Sequence, residues 1–279
     1  MQEHVFPYTT YLGDGSITMG KKLSASVFKH PFFNDGADQY ISPHNLPVEM
    51  DFSKPPAITN PLQVQGFVFH TSHCGSTLLA RMLGTAAHVR VVSETEAING
   101  LLLGFAYSMM SRAEAISRLK GIIEYYRQGF SGEEALIFKL TSWNVFFIDL
   151  FQEIFPDVAW LYLDRNTDEV VASLMKANNV FLNWWRLGER NPMKAFFDGT
   201  ERFTDKKGYL HYIIGLHRKY AHDYENDKCR FLNYPGFIRD FESVILPHFG
   251  LDYSSEALKK ALELIRYESK SLEPVPFKR

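Results

Sequence analysis

From Gly66 to Leu83 the chain reads GFVFHTSHCGSTLLARML: a continuous apolar run, a turn of small and polar residues, then apolar residues at helical spacing. Phe67, Val68 and Phe69 have the pattern of a strand buried on both faces of a parallel sheet. Leu78, Leu79, Met82 and Leu83 fall on one side of a helix that starts near Ser76. A strand feeding a helix through so short a loop commits the chain to a βα unit. The helix start then carries unsatisfied backbone N–H groups and the positive end of the helix dipole, which together favour a bound anion.

The rest of the sequence continues the alternation. Val89, Val91 and Val92 predict a second strand, and two helices follow between Asn99 and Gln128, the second opened by Ser111 with Glu114 three residues on, a capping-box pattern. Leu136–Leu140 reads as a strand, Trp143–Phe155 as a helix, and Val158–Asp164 as a strand that runs directly into Arg165. After a helix over Asp168–Ala177 comes an irregular aromatic stretch, Val180–Thr204, then a helix (Tyr209–Tyr224), a strand (Arg230–Asn233) and closing helices at Phe241–Phe249 and Ser255–Glu268. This order predicts an α/β fold over residues 64–279, a mostly parallel central sheet with helices on both faces and the strand ends on one ligand-binding edge. Residues 1–63, rich in Gly, Pro and Asn breaks, read as an irregular N-terminal lead-in packed on that domain.

Composition limits the partners. Among 279 residues, 46% are hydrophobic and 22% charged, the balance of a globular chain rather than a disordered or fibrous one. Thirty basic residues against 32 acidic ones leave a net charge of -2, so no global field draws the chain to nucleic acid or an anionic membrane. An anion must be held by a local site. The two cysteines, Cys74 and Cys229, read as reduced thiols, and His211, His217 and His222 are spaced by six and five, off the four-residue step of helical metal ligands. No metal site is expected. With no basic-then-apolar leader at the start and no run of about 18 apolar residues, a cytoplasmic chain without a membrane span is the expectation.

In a nucleotide triphosphatase loop, G-x-x-x-x-G-K-S/T, the first glycine and the lysine fall here on His70 and Ser76. Instead the loop resembles the 5'-phosphosulfate loop of sulfotransferases that use 3'-phosphoadenosine 5'-phosphosulfate (PAPS), where a Lys or Arg precedes S-G-T-T. In this chain His73 stands before Cys74, Gly75, Ser76 and Thr77. A second segment, WLYLDRNTDEVVASLM, is similar to the family's 3'-phosphate motif, a strand ending in Arg with Ser eight positions on, here Arg165 and Ser173. A third, CRFLNYPGFIRDFESVILPHFGLDY, resembles its late strand, turn and helix.

The resemblance implies a P-loop sulfotransferase fold and transfer of a sulfuryl group from PAPS to a hydroxyl or amine. By motif spacing it is nearest to the tyrosylprotein branch. It implies that Thr71, Ser72, His73, Cys74, Gly75, Ser76 and Thr77 hold the 5'-phosphosulfate, with the Cys74 thiol facing the nucleotide, and that Arg165 and Ser173 hold the 3'-phosphate. Tyr234 would approach the nucleotide, and Ser269 and Lys270 would belong to a segment that covers it. His73, placed where the family has a permanent cation, would be protonated to stabilise the leaving oxygen. Glu94, 21 residues after His73 and followed by Thr95, matches the tyrosylprotein branch's general base. Blander readings stand beside these: Arg165 pairs with Asp164 or Asp168, and Glu94 caps the helix around Ile98 or pairs with Arg90. A kinase-like P-loop phosphotransferase and a nucleotide-binding protein without turnover remain the alternative functions. The acceptor is not specified by the sequence.

Overall fold

In this computed structural model of the chain, residues 2–13, 16–42, 45–52, 56–58, 60–177, 180–197 and 203–276 are described, so parts of the expected lead-in and of the aromatic stretch lie outside the described residues. Two sheets form. The first is antiparallel, in the order β1 (His4–Leu12), β2 (Ser16–Leu23), β3 (Val48–Glu49), with α1 (Phe33–Gln39) between its second and third strands. The second contains β4 (Gln63–His70), β5 (Val89–Ser93), β6 (Ala135–Lys139), β7 (Ala159–Asp164) and β8 (Cys229–Asn233), all neighbours parallel, in the order β5-β6-β4-β7-β8. Its connections carry α2 (Ser76–Leu83), α3 (Glu96–Ala106), α4 (Arg112–Tyr126), α5 (Ile148–Ile154), α6 (Thr167–Met175) and α7 (Lys206–Asp223), and α8 (Leu246–His248) and α9 (Ser255–Glu263) follow β8.

Strand periodicity sorts the apolar runs into two cores. Side chains alternate faces along a strand, so Phe67 and Phe69 of β4, Leu136 and Phe138 of β6, and Trp160 and Tyr162 of β7 share one core with the faces of α3, α4 and α7. Val68, Ile137, Leu161 and Leu163 point the other way, onto Leu79, Met82 and Leu83 of α2 and Ala257 and Ala261 of α9. A sheet covered on both sides requires apolar residues at both phases, which is why its strands read as continuous runs.

The N-terminal residues are a correction to the expected irregular lead-in. They form a hairpin of nine- and eight-residue strands. Pro7 argues against a strand, yet it sits where the register between β1 and β2 shifts, the kind of bulge that tolerates it. The hairpin joins the first core: Phe6 is fully buried there, Tyr126 donates from its hydroxyl to the Pro7 carbonyl, and Thr10 Oγ1 donates to the Ala97 carbonyl at 2.8 Å. Gly100 of α3 permits this approach, since a Cβ there would lie 2.2 Å from the Thr10 carbonyl oxygen. The expected helix over Trp143–Phe155 divides into a tight turn, Ser142–Phe147, and α5. Among the described residues, no helix is long and apolar enough to cross a membrane.

β4 lies between β6 and β7, and the chain leaves it toward β5 on one side before returning to build β7 on the other. Loops at such a strand end diverge and leave a crevice. The loop after β4, Glu94 after β5, Thr141 after β6 and Arg165 after β7 all meet at this edge.

Candidate functional site

The loop after β4 is shaped by backbone geometry. Ser72, His73 and Gly75 all have positive φ (86°, 46° and 88°). Two of them are not glycine, a cost kept where the surroundings enforce it. The enforcing group is His70: its buried ring donates from Nε2 to the Leu140 carbonyl at 2.8 Å and accepts the Ser72 N–H at Nδ1, 3.0 Å away. Burial and the nearby Lys139 push the His70 pKa well below its ordinary value, so it acts as a fixed neutral bracket. Gly75 is required twice over, by its φ and because a Cβ would lie 2.7 Å from the Tyr234 ring. The result is a concave turn opening on the first N–H groups of α2, the geometry that accepts an anion.

Two segments about a hundred residues apart meet on His73. Its Nδ1 shares a 2.7 Å hydrogen bond with Ser173 Oγ from α6, and its carbonyl accepts from an Arg165 guanidinium nitrogen at 3.3 Å. The Arg165 guanidinium also bonds Glu169 Oε2 at 2.7 Å and lies 4.8 Å from the centre of the Tyr234 ring. Its partner is therefore Glu169, not Asp164 or Asp168. Asp164 is engaged by Arg218, whose Nε donates to it at 2.6 Å. Burial first, then Lys270, Arg165 and Lys139, hold the His73 pKa down to about 4. The imidazole is neutral at pH 7 in the ligand-free chain, unlike the protonated group expected from its loop position.

Glu94 ends β5 in a left-handed conformation (φ 50°) and is bound twice to one residue. Its carboxylate pairs with the Lys139 ammonium, and its N–H donates to the Lys139 carbonyl at 2.8 Å. Both blander readings of Glu94 are overturned: Thr95 caps α3, accepting the Ala97 N–H, and the Arg90 guanidinium pairs with Glu133. Lys139, 1% exposed, is the residue that sequence reading missed. Burial drives its pKa down. The signal was available, because a lysine in the apolar run LIFKL needs an anionic partner.

Ser72, His73, Gly75, Ser76, Thr77, Glu94, Ser173, Ser269 and Lys270 all line one cavity of about 870 Å³. Arg81 of α2 places the late segment there by donating to the Ser271 carbonyl at 2.7 Å and to the Glu268 and Ser269 carbonyls. Phe32, Glu96, Asn99, Trp143, Phe181 and Trp184 line the other side. Tyr234 is not part of the lining. It backs Gly75 and the Arg165 guanidinium from outside the cavity.

Two loop residues turn away from the cavity and correct the expectation that they contact a ligand through their side chains. Thr71 is fully buried, its Oγ1 donating to Asp164 at 2.8 Å and its N–H to the Leu163 carbonyl, so it ties the loop base to β7. Cys74 packs into the second core, and burial raises its thiol pKa to about 11, which leaves it un-ionised and inward-facing. The positive-φ turns at Ser72, His73 and Gly75 leave these two side chains against the sheet and the core while their neighbours face the cavity. Among the described residues, no group of three His, Cys, Asp or Glu side chains is arranged to hold a metal.

No family model matches the chain, and neither does any curated protein sequence. Among solved structures it is similar to sulfotransferase STF9 from Mycobacterium avium, with 12% identity over 80% of this chain and 74% of that one and a TM-score of 0.47. It is also similar to sulfotransferase STF1 from Mycobacterium tuberculosis H37Rv (15%, 76% and 73%, 0.47) and to mouse sulfotransferase SULT7A1 complexed with PAP (12%, 76% and 66%, 0.40). All of these solved structures are sulfotransferases. At that identity and TM-score, neither their activity nor their nucleotide transfers to this chain.

Proposed function

We propose that this chain is a P-loop sulfotransferase that moves a sulfuryl group from PAPS to an acceptor hydroxyl or amine. The observation that carries the reading is the junction on His73. A helix-start anion cradle and an Arg-plus-Ser pair from a distant segment adjoin each other, separated by one side chain. Two adjacent anion sites on a single edge suit a ligand with two separated phosphate-like groups, and a lone triphosphate site has no use for the second. The absence of a loop lysine at Ser76 also speaks against the kinase-like alternative.

The residues present fit such a ligand. Ser72, His73, Gly75, Ser76 and Thr77 would hold the 5'-phosphosulfate through backbone N–H groups and hydroxyls, Arg165 and Ser173 the 3'-phosphate, and Ser269 and Lys270 would close over them. PAPS, when bound, supplies the sulfuryl group, its S–O bond to the 5'-phosphate breaking as a bond to the acceptor oxygen forms. Glu94 accepts the acceptor's proton. Lys139 pairs with that carboxylate and aims it, and Lys270 supplies the positive charge that neutral His73 does not. His73 keeps Ser173 and the loop in register.

A thermal-shift series tests the reading. The product 3'-phosphoadenosine 5'-phosphate (PAP) at 100 times its dissociation constant should stabilise the fold by about 2.7 kcal/mol. ATP and AMP should give much smaller shifts, and Arg165→Ala should abolish the preference for PAP. Equal shifts with PAP and AMP would remove the 3'-phosphate assignment.

The loop histidine gives a second result. His73→Lys restores a permanent cation and is expected to retain or raise turnover at pH 8 to 9, whereas His73→Ala lowers it by breaking the link to Ser173. A pH–rate comparison of the three proteins decides it. Unchanged turnover in His73→Ala from pH 6 to 9 would remove His73 from the site.

A further inference from the structure

We propose that the acceptor is an aromatic alcohol bearing a protonated amine, and that Glu96 is the residue that reads its cation. The inference rests on the sulfuryl-transfer reading for what happens to the hydroxyl, and on the far side of the cavity for everything else.

That side is built differently from the phosphate side. Trp143 and Trp184 are buried and meet edge to face at 5.7 Å, Phe181 packs on Trp184 at 6.0 Å, and Phe32, its ring centre 5.1 Å from the Lys139 ammonium, lines the same cavity. Aromatic faces and edges of this kind accept a planar ring and attract a cation attached to it. Among the described residues, no lysine, arginine or histidine pairs with Glu96. Lys139 is committed to Glu94, Lys270 lines the cavity beside Ser269, and Arg165 is bound to Glu169 and the His73 carbonyl. An anionic acceptor would therefore meet Glu96 with no cation of its own.

The carboxylate is also aimed. Asn99 donates from Nδ2 to Glu96 Oε1 at 3.2 Å, Asn144 donates from Nδ2 to Asn99 Oδ1 at 3.3 Å, and the Thr141 N–H donates to Asn144 Oδ1 at 2.9 Å. Asn99 and Asn144 are 5% and 1% exposed. Placing two amides in a core is costly unless each is paired, and this relay spends its last donor on holding Glu96 at the cavity rim. An acidic residue in the first turn of a helix is favoured by the dipole alone, but that role needs no buried relay. The Glu96 side chain is itself solvent-exposed, and partial desolvation raises its pKa while the Asn99 hydrogen bond lowers it.

Calorimetry with three probes of one shape separates the outcomes: tyramine (phenol and ammonium), 4-ethylphenol (neutral) and 3-(4-hydroxyphenyl)propionate (anionic), each with and without PAP. The wild-type chain is expected to bind tyramine about 10-fold or more tighter than 4-ethylphenol, with the propionate weakest. Glu96→Gln, which keeps the shape, should erase the difference. The variant's unfolding temperature and its PAP shift show that it remains folded with the nucleotide side intact. Equal affinities for the three probes, no binding of tyramine, or a preference that survives Glu96→Gln would each overturn the proposal. A chain that prefers tyramine through Glu96 yet gives no response to PAP would keep the acceptor assignment and lose the nucleotide.

Discussion

Glu94→Gln lowers turnover by about 100-fold to 10,000-fold while the PAP thermal shift stays at the wild-type value. The substitution keeps the shape at the end of β5 and removes only the proton acceptor. Lys139→Met is the companion experiment. It deletes the ammonium that pairs with the Glu94 carboxylate, so its loss of turnover is steepest on the acid side of the pH–rate profile, where an unpaired carboxylate is the first to take a proton. The two variants act through one group, and the double variant is therefore expected to be little worse than Glu94→Gln alone. Wild-type turnover in Glu94→Gln would remove Glu94 as the base. Additive losses in the double variant would separate Lys139 from it.

The fold loses stability as the pH falls below about 6.5, and buried His217 is one source. This α7 residue is 1% exposed, packed edge to face on Phe146 at 5.1 Å, and neither ring nitrogen closes a hydrogen bond, although the Thr71 backbone is near. Burial takes its pKa from 6.5 to about 3. The unfolded chain therefore binds a proton that the folded chain refuses. The stabilisation is fully present above pH 6.5 and is lost progressively toward pH 3, at a cost of roughly 3 to 5 kcal/mol for a fully buried group with that shift. His70 and His73, both lowered, add in the same direction. His217→Phe replaces an unsatisfied ring by an apolar one, so it should be neutral or stabilising at pH 7.5 and retain more of its stability at pH 4.5. Urea unfolding at both pH values measures this, and identical acid losses in the two proteins would rule out the assignment.

Much of the candidate site was legible because its motifs are local. The loop Ser72–Thr77, Arg165 and Ser173 each sit at a fixed offset from a strand end, and strand ends were marked by apolar runs bounded by turn residues. The N-terminal hairpin was not legible, because Pro7 masks a strand whose bulge tolerates it. Thr71 and Cys74 read as ligand contacts by position, but the loop's irregular turn geometry sends some side chains inward, and only the packed core decides which.

The sequence by itself determined the parallel α/β order, the phosphate-type loop and the acidic and basic residues nearest each strand end, since these follow from periodicity of two and 3.6 and from the residues permitted in turns. Only the tertiary structure decided their partners. Lys139 finds Glu94 rather than solvent, Glu169 rather than Asp168 takes Arg165, and Asn144 and Asn99 align behind Glu96. Such pairings depend on strand order and on which groups are denied water, and a buried charge or amide is driven to whichever partner the fold brings within reach.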